Sequence, residues 1–95
     1  DLAVIRRRAS AGACVMGLRF TGDRLVPDAR FARLRAELGD NFLAIEIDSL
    51  PGNSHGISRL AHSVLTEDFV DEPDHPTRRA ADAVIAFYRR QLLPA

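Results

Sequence analysis

An aspartate and a histidine in this chain have the types and order of an acid–base pair. Asp23 follows residues 13–18, an apolar run with the composition of a buried strand. His62 comes 39 residues later, in a segment rich in turn-forming residues. A histidine can take a proton from a nucleophile and return it to a leaving group, while a carboxylate orients the ring and stabilises the imidazolium. The pair therefore indicates nucleophilic acyl-transfer chemistry at the end of a strand.

The sequence carries no recognisable nucleophile to complete this pair. A strand–turn–helix elbow has the pattern Gly-x-Ser-x-Gly, and neither this pattern nor its cysteine equivalent occurs in the chain. Cys14 lies in the middle of the apolar run, and we interpret it as a small buried hydrophobe. Ser63 also lacks an elbow, and we interpret it as a loop hydroxyl. We expect the isolated chain to lack esterase turnover, because the acid and base have nothing to activate.

Two further histidines compete with His62 for the role of base. His55 precedes Gly56 on a turn-rich loop that would also suit a base, so it stays open as an alternative. His75 precedes Pro76 at a predicted helix start, where a capping or solvent role is the better interpretation. The chain lacks His-x-x-x-His and Cys-x-x-Cys spacings, so we expect neither a metal nor a cofactor.

The elements that position these residues follow the order strand, helix, strand. Residues 13–20 and 41–47 are apolar runs of strand length, and we expect both strands to be buried on both faces. Between them, Pro27 and Gly39 bound a helix with apolar residues at Phe31, Leu34 and Leu38. This order predicts a right-handed parallel crossover. We expect Asp23 and His62 to lie on the same edge of the sheet, with their side chains within reach of a hydrogen bond or one bridging water.

Helices are expected on both sides of this unit. We predict a short helix over residues 2–8 and a last helix over residues 77–93, the latter capped by Asp74 or Thr77. The long segment from 49 to 76 is irregular, with one or two helical turns expected around residues 57–65. The chain is thus predicted to be one small α/β domain over residues 1–95, with a short parallel sheet and flanking helices.

Four segments together resemble the C-terminal part of dienelactone hydrolase-like α/β-hydrolases. They are residues 17–27 with the motif Gly-Asp-x-x-Val-Pro, residues 30–40, residues 62–66 and Pro76-Thr77 before the last helix. The resemblance covers nearly the whole chain, and the acid-turn motif is its most specific part. It implies a partial three-layer hydrolase fold and ester hydrolysis, with Asp23 as the triad acid and His62 as the base. It also implies that a partner segment supplies the nucleophile and the oxyanion hole.

Composition excludes several classes of function. The chain has 95 residues, 46% of them hydrophobic and 27% charged, which is typical of a globular domain and not of a disordered one. No apolar run approaches the roughly 20 residues of a membrane helix. The net charge is zero, so nucleic acid is not an expected partner, and we interpret the cluster at residues 6–8 as a solvated helix end. With one cysteine and no signal-peptide pattern, we expect a cytoplasmic location.

Two apolar strands would leave open sheet edges that favour assembly. Unpaired backbone groups along such edges can pair with another chain. We therefore expect a homo-oligomer, in the first place a two-fold dimer, or a complementing chain that supplies the rest of the sheet. The alternative to a hydrolase fragment is a non-catalytic module that acts through assembly or binding.

Overall fold

Two parallel strands, β1 (Val15–Phe20) and β2 (Phe42–Ile47), form the sheet in the computed structural model, which describes residues 2–93. The register pairs Val15 with Phe42 and continues without a break to Phe20 and Ile47. The predicted parallel pairing is confirmed. Both strands start later than the apolar runs suggested, β1 by two residues and β2 by one.

Within residues 2–93, three α-helices flank the sheet: α1 (Leu2–Ser10), α2 (Asp28–Leu38) and α3 (Pro76–Leu92). A short 3₁₀ turn, Gly39–Asn41, joins α2 to β2, and Gly39 has a φ of 53°. Glycine adopts this positive φ at little cost, which explains why the helix ends there. The predicted fold class, a small α/β domain with a short parallel sheet and flanking helices, is confirmed at this level.

Each face of the sheet holds its own hydrophobic cluster, because neighbouring side chains of a strand point to opposite faces. The cluster shared with α1 and α2 contains Ala9, Phe31, Leu38 and Phe42. The cluster shared with α3 and the long loop after β2 contains Phe20, Ile47, Ala61, Val64 and Ala80. The second cluster therefore joins the ends of both strands to the loop that carries His62.

Gly17 lies where the rings of the first cluster come closest to the backbone of β1. A Cβ atom at this position would lie 2.8 Å from the Phe31 ring and 3.0 Å from the Phe42 ring. The two rings meet edge to face, with their centroids 5.4 Å apart. A glycine is needed here because any side chain would displace this ring pair.

The expectation that both strands are buried on both faces is wrong for much of their length. Met16 and Leu18 in β1 are only half-buried, and Leu43 in β2 is 37% exposed. On the face of the sheet that packs against α3, the fully buried strand residues are Phe20 and Ile47, at the carboxyl ends of the strands. The amino-terminal half of this face is therefore only partly covered within residues 2–93.

The helical turns expected around residues 57–65 are also wrong, because the loop from 48 to 75 consists of turns, bends and segments without regular secondary structure. Side chains satisfy backbone groups that a helix would have paired. The amide oxygen of Asn53 accepts hydrogen bonds from the N–H groups of His55 (3.2 Å) and Ile57 (2.9 Å). The amide nitrogen of Asn53 donates to the carbonyl groups of Leu50 and Ile57.

The cap of α3 is His75, and the prediction of Asp74 or Thr77 is wrong. The Nδ1 atom of His75 accepts a hydrogen bond from the N–H of Thr77 at 3.2 Å, and Pro76 occupies the first turn. This confirms the interpretation of His75 as a capping residue. Thr77 is fully buried, and its hydroxyl oxygen accepts a hydrogen bond from the N–H of Val70 at 2.9 Å. No helix within residues 2–93 is long and apolar enough to cross a bilayer.

Candidate functional site

Asp23 lies in a tight turn directly after β1 and is 6% exposed. Its N–H donates to the carbonyl of Phe20 at 3.1 Å, and its Oδ1 atom accepts from the N–H of Leu25 at 2.8 Å. One carboxylate oxygen therefore holds the turn itself. Among residues 2–93, no group donates a hydrogen bond to Oδ2, and because no buried side-chain oxygen lacks a partner, this oxygen is open to solvent.

Hydrogen bonds tie the turn of Asp23 to the end of β2. The N–H of Gly22 donates to the hydroxyl of Ser49 at 2.8 Å, and the N–H of Ser49 donates to the hydroxyl of Thr21 at 3.0 Å. Ser49 is fully buried. Sequence reasoning missed this pair, although Thr21 and Ser49 are each among the first polar residues after a strand. In a parallel sheet such residues meet at the same edge.

A buried arginine of β1 also holds the turn that carries Asp23. The side chain of Arg19 is 1% exposed. Its Nε atom donates to the carbonyl of Val26 at 2.9 Å and its Nη2 atom to the carbonyl of Thr21 at 3.1 Å. Nη1 donates to the carboxylates of Asp28 and Glu46. One guanidinium group therefore holds both ends of the turn at residues 21–26, which we call the acid turn because it carries Asp23.

Glu46 is the anionic partner of this arginine on β2, directly opposite Arg19 in the sheet register. Arg35 of α2 donates to the other oxygen of Glu46. The hydrogen bond from Arg35, reinforced by that from Arg19, holds the pKa of Glu46 below its ordinary value of 4.5, although burial opposes this shift. The pair thus stays ionised at neutral pH.

His62 lies on the surface of the long loop after β2. Its Nδ1 atom is 3.3 Å from the carbonyl oxygen of Leu60, and its Nε2 atom is 3.7 Å from a carboxylate oxygen of Glu67. The ring is therefore held loosely by groups of its own loop. A surface imidazole of this kind remains accessible to a proton donor or acceptor.

Asp23 and His62 line the same open cavity, whose volume is about 450 Å³. Leu25, Leu50 and Leu60 form much of its apolar wall. The cavity lies beyond the carboxyl ends of the strands, because its lining residues follow β1 and β2 in the chain. No hydrogen bond joins the two side chains among the described residues, so the structure brings Asp23 and His62 to one cavity without a direct hydrogen bond between them.

His55 lies elsewhere, in a smaller cavity of about 270 Å³ that also contains His75 and Asp68. The His55 and His75 rings meet edge to face with centroids 5.4 Å apart. His55 does not line the cavity of Asp23. Of these two histidines, His62 is the one that shares a cavity with Asp23.

Asp68 organises the turn that carries His62. Its Oδ2 atom accepts hydrogen bonds from the N–H groups of His62 at 3.0 Å and Ser63 at 2.9 Å, and from the Ser63 hydroxyl at 3.3 Å. Burial acts to raise the pKa of Asp68, but these hydrogen bonds outweigh it and lower the pKa below its ordinary value of 3.8. The ionised carboxylate is therefore part of the loop structure.

Acid is expected to weaken this loop through Asp68. The lowered pKa means that its stabilisation is complete above pH 3.8, the value for the unfolded chain, and is lost as the pH falls through the lower folded value. In Asp68→Asn, stability should fall at neutral pH and lose part of its acid dependence below pH 4. Urea unfolding between pH 2 and pH 7 measures both effects. Asp40→Asn, on an exposed residue, is the matched control, and equal acid profiles for the two variants would contradict the role of Asp68.

The remaining candidates from the sequence lie outside the cavity. Cys14 is half-buried, with its Sγ atom 4.0 Å from the side-chain oxygen of Asn41. Ser63 is bound to Asp68, as a loop hydroxyl would be. Arg6, in the exposed basic cluster of α1, forms an ion pair with Glu37 at 2.5 Å. Among residues 2–93, no three histidine, cysteine or acidic side chains are grouped to hold a metal ion.

Comparison with known proteins gives no independent identification. The chain matches no protein-family model, no curated protein and no solved structure. The resemblance to dienelactone hydrolase-like enzymes therefore depends on the motifs in the sequence alone.

Proposed function

We propose that this chain is the acid- and base-bearing part of a dienelactone hydrolase-like ester hydrolase. The observation that supports this most directly is the shared cavity of Asp23 and His62 beyond the carboxyl ends of two parallel strands. Ligands of open α/β sheets bind in this position. Asp23 in its tight turn after β1 also matches the Gly-Asp-x-x-Val-Pro motif on which the resemblance depends.

In this proposal, His62 accepts a proton from a nucleophile and then delivers it to the leaving alcohol. The Oδ2 atom of Asp23 accepts a hydrogen bond from the neutral imidazole, which fixes its tautomer, and the carboxylate then stabilises the imidazolium that forms when His62 takes the proton. The leucine wall of the cavity suits the apolar part of an acyl substrate.

The nucleophile must come from outside residues 1–95, so the isolated chain is expected to be inactive. The test is a chimera in which this chain replaces the corresponding C-terminal part of a dienelactone hydrolase-like enzyme. We expect the chimera to hydrolyse p-nitrophenyl acetate and the purified chain alone to give no turnover above buffer. Turnover by the isolated chain that Ser63→Ala or Cys14→Ala abolishes would contradict the proposal. A folded chimera without activity would do so as well.

A non-catalytic assembly module is the second candidate, and the half-covered sheet supports it. Met16 and Leu18 are half-buried, and the nearby Leu65 and Tyr88 are 41% and 56% exposed. A two-fold dimer, or a complementing chain that extends the sheet, would cover this surface. Sedimentation at micromolar concentration distinguishes a dimer from a 10.5 kDa monomer.

We also propose a cytoplasmic location for the chain, which the single unpaired cysteine supports.

A further inference from the structure

Helix α3 carries a second apolar stripe beside the one that packs on the sheet. Ala80 and Phe87 are buried and mark the packed side of the helix. The second stripe, which we call the outer stripe, has spacings of four, three and four residues and consists of Ala81, Ile85, Tyr88 and Leu92. Ile85 is 51% exposed, Tyr88 56% and Leu92 73%. The outer stripe is therefore an apolar surface that the described chain leaves uncovered.

The outer stripe has the spacing through which two helices pair. Apolar residues at alternating steps of three and four form the line along which one helix packs on another. The stripe also continues onto the sheet, because Tyr88 lines a shallow cavity of about 220 Å³ with Met16 and Leu18 of β1. A continuous apolar surface of this kind marks a site of protein contact.

Two charged residues of opposite sign border the outer stripe on its solvent side. Asp82 and Arg89 are seven residues apart, so they lie on the same flank of the helix. The side chain of Asp82 is 63% exposed, and its contact with Arg78 is a long one of 3.6 Å. Arg78 makes a closer ion pair with Asp71, at 2.6 Å. Among residues 2–93, no acidic side chain pairs with Arg89. Both charges are thus available to a partner.

A second copy of this chain complements these charges when the two α3 helices run antiparallel. In such a pair, the charged flank of one helix faces the charged flank of the other, so Asp82 approaches the partner's Arg89. When Ile85 packs beside the partner's Tyr88, the two charged residues differ in level by two residues, about 3 Å, which an arginine side chain spans. In a parallel pair, by contrast, like charges lie at the same level.

We propose that the outer stripe is an interface between two copies of this chain, with α3 packed antiparallel on α3 and an Asp82–Arg89 ion pair on either side of a two-fold axis. The inference rests on the assembly role proposed above and specifies its surface, which is a helix face and not an open sheet edge. The apolar residues supply the contact, and the two ion pairs select the orientation. The interface forms whether or not the chain hydrolyses esters.

Charge reversal tests this interface by sedimentation equilibrium of the full chain at low salt. Asp82→Arg and Arg89→Asp should each weaken the dimer about tenfold, because two attractive pairs become two repulsive ones. An equimolar mixture of the two variants should form a heterodimer at least as tight as the wild-type dimer, since every facing pair is then opposite in sign. Arg79→Asp, at an exposed arginine on the other side of α3, is the matched control and should leave the dimer unchanged. Circular dichroism checks that each variant is folded.

An apolar position completes the test. Ile85→Glu should weaken the dimer at least about tenfold, because it places a charge in the centre of the contact. Val4→Glu, at a 43% exposed valine of α1, should leave it unchanged. Failure of the two charge variants to form a heterodimer would overturn the antiparallel interface. A dimer insensitive to Ile85→Glu would overturn the outer stripe and leave assembly through the sheet. A wild-type chain that stays monomeric up to submillimolar concentration would overturn both, without bearing on ester hydrolysis.

Discussion

Replacing Arg19 with alanine is expected to destabilise the chain by about 3 kcal/mol or more, because it removes one partner of a buried ionic network. The substitution leaves the carbonyl groups of Val26 and Thr21 without their donors and Glu46 without one of its two arginines. It also opens a cavity under Phe31, whose ring centroid lies 5.7 Å from the guanidinium carbon. Such a loss is a large fraction of the stability of a small domain.

Urea unfolding at neutral pH measures this effect, and two variants separate its causes. Arg19→Met fills most of the volume without the hydrogen bonds, so it should be less destabilising than Arg19→Ala. Arg33→Ala, at an exposed arginine of α2, should change stability by less than about 0.5 kcal/mol. If Arg19→Ala were no more harmful than Arg33→Ala, the proposed role of Arg19 as the anchor of the acid turn would be wrong.

In the active chimera, Asp23→Asn is expected to lower kcat by about 10³- to 10⁴-fold, because an amide neither fixes the imidazole tautomer nor stabilises its charge. His62→Gln should lower kcat at least as far, since it removes the proton acceptor itself. The KM should change little, because neither group belongs to the apolar wall that holds the acyl part. Steady-state kinetics with p-nitrophenyl acetate, after circular dichroism shows that each variant is folded, gives both values.

His55→Gln is the decisive comparison for the identity of the base. The residue lies outside the cavity of Asp23, so its loss should change kcat by less than about threefold. Asp40→Asn controls for the loss of an exposed carboxylate. If His55→Gln abolished turnover and His62→Gln did not, the acid would have to pair with His55, which would require a different arrangement of the loop.

The sheet and helices were predictable because their signals are local. The apolar runs and the Pro27–Gly39 boundaries define β1, α2 and β2 without any distant information. Asp23 could be placed at the sheet edge for the same reason, since it directly follows a strand. Both strands start later in the structure than predicted, because apolar composition does not show which terminal residues find a pairing partner.

The long loop was less predictable because its structure depends on side chains that meet across distances in the sequence. The side-chain oxygens of Asn53 and Asp68 accept hydrogen bonds from backbone N–H groups that would otherwise be paired within a helix. At the start of α3, the cap is His75 and not the predicted Asp74 or Thr77. Arg19 carried a detectable signal, because an arginine inside an apolar run needs a buried partner. Glu46, in the middle of the next strand, was the matching signal, but only the parallel register shows that they are opposite.

The constant register has a consequence for how the chain folds. The pairs Arg19–Glu46 and Gly22–Ser49, like the strand partners Val15 and Phe42, are each separated by 27 residues in the sequence. Closing one loop of this length, with α2 inside it, therefore brings all of these groups together in a single event, and the entropy of closure is lost only once. We expect the acid turn to become ordered in the same folding step as the sheet, so that a chain with paired strands already has Asp23 in place.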